Sequence, residues 1–152
     1  MYKMIIFDMD GTLLDTTESI AYCVNNVLRE YGYKVYELNE IKKFVGNGAK
    51  KLLKRALDSQ NAIYNENDFE KMYLLLEKEF HNNYNYKVKF YDGIELLLDE
   101  LEKNKIKMAI NTNKLQYAAE NITNTILKKW KFTHVIGDDK FHDIKPSKYA
   151  VE

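Results

Sequence analysis

Four consecutive apolar residues, Met4-Ile5-Ile6-Phe7, stop abruptly at Asp8, and Asp10, Gly11 and Thr12 follow at once. An uninterrupted apolar run of this length suits a strand covered on both faces, as in a parallel α/β sheet. In open sheets of that kind, ligands bind beyond the carboxyl ends of the strands, which is where Asp8 and Asp10 stand. Two carboxylates two residues apart can converge on one point once the chain leaves extended geometry. Such a pair suits a hard cation like Mg²⁺, which takes a few oxygen ligands and keeps several waters. Gly11 frees backbone N–H groups to approach a phosphate with no side chain in the way. An EF-hand loop would put its glycine sixth, whereas Gly11 is fourth; a Walker loop would end in Gly-Lys-Ser/Thr, which does not occur. A polar turn capping the next helix is the bland alternative, and it does not require so restrictive an order of residues.

Two more strands are expected, at 106–111 and 133–137, each followed by a polar, turn-like segment. Parallel strands need crossovers, and helical spacing fills the intervals. Ile20, Val24, Val27, Leu28 and Tyr31 mark one helix, with Thr16 or Thr17 as its N-cap and Gly32 as its end. Leu52, Leu53, Ala56 and Leu57 mark a second, and Phe69, Met72, Tyr73, Leu76 and Phe80 a third. Asp92-Gly93 turns the chain into a helix facing inward through Ile94, Leu97, Leu98 and Leu101, and residues 114–129 supply the last. The fold class is therefore α/β: a three-layer, parallel, Rossmann-like core at about 1–14 and 88–152, with an all-helical insert at about 15–87.

Charge and length narrow the partners. With 23 basic and 23 acidic residues among 152, the formal net charge is zero, so no global field draws in nucleic acid or an anionic membrane. No window approaches the roughly 20 apolar residues of a membrane helix, and a cytoplasmic location is expected. Cys23, the lone cysteine, reads as a core thiol.

The segment 5–16 resembles the first motif of the haloacid dehalogenase superfamily, most of whose members are phosphatases. Asn111-Thr112-Asn113-Lys114 is similar to the second motif of that family, and Lys145-Pro146, after Gly137-Asp138-Asp139, to the third. Val45-Gly46-Asn47-Gly48-Ala49-Lys50 resembles the cap segment of phosphoglycolate-phosphatase-like members. The resemblance implies Asp8 as nucleophile and Mg²⁺ ligand, and Asp10 as general acid/base that also offers its backbone carbonyl to the metal. It implies Gly11, Thr112 and Asn113 at the phosphate, Lys145 as the neutralising cation, and Gly46, Asn47 and Gly48 facing the substrate from the cap. The implied reaction is hydrolysis of a small phosphorylated metabolite, with phosphoglycolate the first candidate. A carboxylate attacking an anionic phosphate needs cations to offset the repulsion, and a two-step hydrolysis needs one group to give a proton and later take one.

Family members with such a cap carry a further Gly-Asp-x-x-x-Asp motif beyond the third, and this sequence has none. That departure predicts weakened Mg²⁺ binding, reduced or absent turnover, and an unpaired edge on the first strand, open to self-association. The alternatives are a sugar phosphomutase sharing fold and cap, or a non-catalytic remnant serving as a binding or oligomerising module.

Overall fold

The computed structural model describes residues 3–149. Strand β1 (Met4–Phe7) leads to Asp8, and a two-residue strand β2 (Leu14–Asp15) precedes helix α1 (Thr17–Glu30). Helices α2 (Leu38–Phe44), α3 (Ala49–Asp58) and α4 (Glu66–Asn83) follow. A second short strand, β3 (Lys89–Phe90), returns the chain to α5 (Ile94–Lys103), β4 (Lys107–Leu115), α6 (Gln116–Thr125) and β5 (Phe132–Asp138). The larger sheet is parallel, in the order β1-β4-β5, and Phe7 pairs with Ile110 at the carboxyl end of β1.

Both crossovers advance in the same direction across the sheet, so the right-handed rule places α5 and α6 on one face. Phe7, Met108 and Ile110 meet Leu98 and Leu101 of α5 and Ala119 and Ile122 of α6 there, with Trp130 closing the cluster. The side-chain alternation of β1 decides the rest: Ile5 packs against this cluster, whereas Met4 and Ile6 face the other way and are 38% and 46% exposed. The apolar run at the N-terminus is thus covered on one face by the described residues, not on both as its composition suggests. Leu97, expected inward, is also exposed, because the buried stripe of α5 runs through Leu98 and Leu101.

The helical insert has a core of its own. Val24, Val27 and Leu28 of α1, Ile41 of α2, Leu53 and Leu57 of α3, and Met72 and Leu76 of α4 are fully buried together. Truncating Leu53 to Ala would cost about 2–5 kcal/mol at such a site. Leu115 and Ala118 join the same cluster, so the insert is seated on the start of α6. Where the chain passes between the two cores, Leu14 pairs with Phe90 and Asp15 with Lys89, forming an antiparallel ribbon.

Three local features were not expected. α2 has too few apolar positions to show a period, and its start is fixed by the Glu40 carboxylate accepting from the Glu37 N–H at 2.9 Å. The ribbon strands are two residues each. Strand β4 continues through Leu115, so the Asn111-Thr112-Asn113-Lys114 segment lies within the strand and not after it, with a register irregularity between Asn111 and Leu115. That irregularity re-aims the side chains at the strand tip, as bulges do. No helix among the described residues is long and apolar enough to cross a membrane.

Candidate active site

Asp8 leaves the sheet at the end of β1, next to the tip of β4 and the loop after β5. The loop after β5 brings Lys145 back across the strand ends, and its Nζ reaches Asp8 Oδ1 at 2.8 Å. The Met9 N–H donates to the same oxygen at 2.9 Å. Oδ1 is therefore fixed from two sides, and among the described residues no donor engages Oδ2. Asp10 faces a second ammonium: Lys114 Nζ lies 3.1 Å from Oδ1 and 3.4 Å from Oδ2. Thr16 Oγ1 donates to Asp10 Oδ1 at 2.6 Å. Thr16 occupies the N-cap position of α1 as expected, but its hydroxyl serves Asp10 and not a helix amide.

Asp8, Asp10, Lys114 and Lys145 line one cavity of about 360 Å³, within the ordinary range for small-ligand pockets. Asp8, Asp10, Thr112, Asn113 and Lys145 form its floor, and Gly46 and Gly48 reach it from the helical insert. Thr112 is buried, and its Oγ1 accepts from the Lys114 N–H at 3.2 Å. Gly48 has φ of +85°, and a Cβ there would stand 3.3 Å from Ile144 Cδ1, so glycine allows the turn before α3 to approach the loop after β5.

Three expected site residues behave differently. Gly11 is not part of the cavity wall, and its N–H donates to Leu14 O at 2.9 Å within the turn that follows the acid pair. Asn47 turns its side chain to Arg55, which donates to Asn47 Oδ1 at 2.5 Å and to Phe44 O at 2.9 Å, so only its glycine neighbours line the cavity. Asn113 lines the cavity, but its amide is committed to backbone: Oδ1 accepts from the Lys145 N–H at 2.8 Å, and Nδ2 donates to Gly46 O at 2.9 Å and to Lys145 O at 3.3 Å.

Lys114 is the residue that sequence reasoning passed over, although alternation offered a signal: in an extended segment, residue 114 shares a side with Thr112. Asp138 and Asp139 form turns, accepting from Lys140 N and from Phe141 N and His142 N. Burial pushes the Cys23 thiol up to about 12, which fits an inert core residue.

An acid pair at a strand tip, faced by two lysines under a helical insert, invites comparison with known proteins. Residues 5–152 match the family described as haloacid dehalogenase-like hydrolases, and the chain belongs to it. A phosphoglycolate phosphatase of Aquifex aeolicus (strain VF5) is 29% identical over 146 residues, covering 95% of this chain and 65% of that protein. The phosphoglycolate phosphatase of Pseudomonas savastanoi pv. phaseolicola (strain 1448A / Race 6) is 32% identical over 151 residues, covering 98% of this chain and 55% of that protein. The chain thus spans somewhat over half the length of these relatives. A crystal structure of a predicted phosphoglycolate phosphatase from Haemophilus somnus 129pt superposes with a TM-score of 0.87 at 23% identity, covering 98% of this chain and 68% of that one.

Proposed function

We propose that this chain forms the nucleophile-bearing part of a phosphatase that hydrolyses a small phosphomonoester through a phosphoryl group carried on Asp8. The observation that supports this most is the 2.8 Å contact between Lys145 and Asp8 beside Thr112 in a ligand-sized cavity. In the first step a carboxylate oxygen of Asp8 attacks phosphorus, the bond to the ester oxygen breaks, and Asp10 gives its proton to the departing alkoxide. In the second step water attacks the acyl phosphate, Asp10 takes a proton from it, and inorganic phosphate leaves with Asp8 restored. Lys145 offsets negative charge as nucleophile and phosphate approach, and Thr112 offers its hydroxyl to a phosphate oxygen. Asn113 holds the Lys145 backbone in place through the bonds described above.

Mg²⁺ fits the donor set. Proteins commonly hold this ion through one or two carboxylates, with substrate phosphate and water completing the sphere. The Asp8 carboxylate and the Asp10 backbone carbonyl would hold it here, leaving the Asp10 carboxyl for proton transfer, and the ion would supply further charge neutralisation at the phosphate.

Residues 15–87 act in this reading as a cap that closes the cavity through Gly46 and Gly48 and excludes water, with 1–14 and 88–152 as the catalytic core. Two separate buried clusters, one in the insert and one on the sheet, support that division. Phosphoglycolate is the first substrate to try, because the relatives in Aquifex and Pseudomonas carry that name. Such a metabolite would be met in the cytoplasm. The test is release of p-nitrophenol from p-nitrophenyl phosphate, with and without Mg²⁺, beside an Asp8→Asn variant. Metal-dependent release that Asp8→Asn abolishes is expected; release that survives the substitution would contradict the reading.

A further inference from the structure

Lys114 has no part in the two steps above, yet it is the most enclosed charge in the cavity. Its side chain is 10% exposed, it pairs with Asp10, and it lies 5.9 Å from the Phe80 ring centroid. Much of the remaining cavity wall is apolar, with Ile20, Val45, Leu52 and Ala118 contributing. An ammonium withdrawn from water in such surroundings needs an anion beside it. Asp10 supplies one in the resting arrangement, and the proposed reaction requires that same carboxyl to approach the ester oxygen.

Geometry says what could take the place of Asp10. To protonate the leaving group, Asp10 must stand about 2.6–3.2 Å from the ester oxygen. Lys114 Nζ is 3.1 Å from Asp10 Oδ1. An anionic group two or three bonds beyond the ester oxygen therefore comes within reach of the same ammonium. A neutral alcohol portion would leave Lys114 with Asp10 alone.

We infer that Lys114 is a specificity-determining residue, selecting phosphomonoesters whose leaving alcohol carries a carboxylate close to the ester oxygen. This rests on reading the cavity as a phosphatase site. As the substrate enters, its carboxylate takes over the ammonium, and Asp10 is released toward the ester oxygen. The pairing of Lys114 with Asp10 is then the resting arrangement, and the substrate itself releases Asp10 from it.

The test is calorimetric titration of the full chain, in Mg²⁺-free buffer with a chelator so that neither ester turns over, with 2-phosphoglycolate and separately with ethyl phosphate, which shares the phosphate and ester oxygen but lacks the carboxylate. Wild type is expected to bind 2-phosphoglycolate about tenfold or more tightly than ethyl phosphate, the scale of a charged hydrogen bond. Lys114→Met should bring that ratio close to one, Lys114→Arg should restore much of it, and Lys51→Met, which removes a charge on exposed α3 surface, should leave it alone. If Lys114→Met does not fold, Lys114→Gln makes the same comparison. A wild-type ratio near one, or a ratio that survives loss of the Lys114 charge, overturns the inference. Binding of both esters that is lost in Lys145→Met would leave the phosphatase reading standing in that case. Absence of any Lys145-dependent binding in wild type would overturn the reading and the inference together.

Discussion

Lys145 and Asp8 are 137 positions apart in sequence, and the ammonium of one touches the carboxylate of the other at 2.8 Å. The pair is open to solvent, with side chains 30% and 42% exposed, so its value to stability is small. Its expected value is chemical. Lys145→Met should shift the unfolding free energy by less than about 1 kcal/mol. The same substitution should lower phosphatase turnover by about a hundredfold or more, the scale seen when a charge-stabilising group is removed. Thermal melts and rates measured on the same preparations separate the two effects.

The amide of Asn113 ties the Lys145 backbone to the Gly46 carbonyl, linking the cavity floor to the helical insert. Asn113→Asp keeps an acceptor for the Lys145 N–H but loses both Nδ2 donations. Hydrogen exchange read by mass spectrometry should show faster exchange around 45–49 by about tenfold, one net hydrogen bond's worth. Protection at Lys145 should change less. Equal protection around 45–49 in both proteins would mean that Gly46 is held by other contacts.

Gly137 sits where β5 comes close to the junction of β4 and α6. A Cβ there would lie 2.6 Å from Lys114 O and 3.0 Å from Gln116 Cα, and backbone cannot step aside cheaply. Gly137→Ala should therefore destabilise the chain by about 1–3 kcal/mol in urea unfolding. Because Lys114 is the residue pressed upon, the variant should also weaken any preference for 2-phosphoglycolate.

Asp139 closes the turn after β5. Its carboxylate accepts from the His142 ring and from the N–H groups of Phe141 and His142, and these bonds hold its pKa down to about 2. A carboxyl depressed on folding contributes stability that is fully present above its ordinary pKa of roughly 4 and is lost as pH falls through the folded value. Residues 139–142 should keep their N–H protection down to about pH 4 and lose it progressively toward pH 2. Asp139→Asn should show no such step. Amide spectra recorded across that range provide the check.

Much of this arrangement was legible in the residues alone. The apolar run into Asp8 announced a strand tip, and the helical spacing of Val24, Val27, Leu28, Met72 and Leu76 announced the insert's core. Pairings that depend on three-dimensional closure were less visible. Lys114 meets Asp10 from a β4 that extends through Leu115, with an irregular register beyond Asn111. Asn113 and Asn47 carry side chains that a motif assigns to a ligand, whereas their hydrogen-bond partners are protein groups set by neighbouring loops. The ribbon of Leu14-Asp15 with Lys89-Phe90 is too short to leave a period. Exposure of Met4 and Ile6 depends on which face of the sheet receives α5 and α6, which is a matter of crossover direction and not of composition.

Beryllofluoride adds to an aspartate carboxylate in the shape of a phosphoryl group, so fluorine NMR can ask whether Asp8 accepts one without requiring turnover. With Mg²⁺ present, bound fluorine resonances should appear for wild type and vanish for Asp8→Asn. Bound resonances that persist in Asp8→Asn, or none in wild type at saturating beryllofluoride, would contradict the assignment of Asp8 as the phosphoryl acceptor.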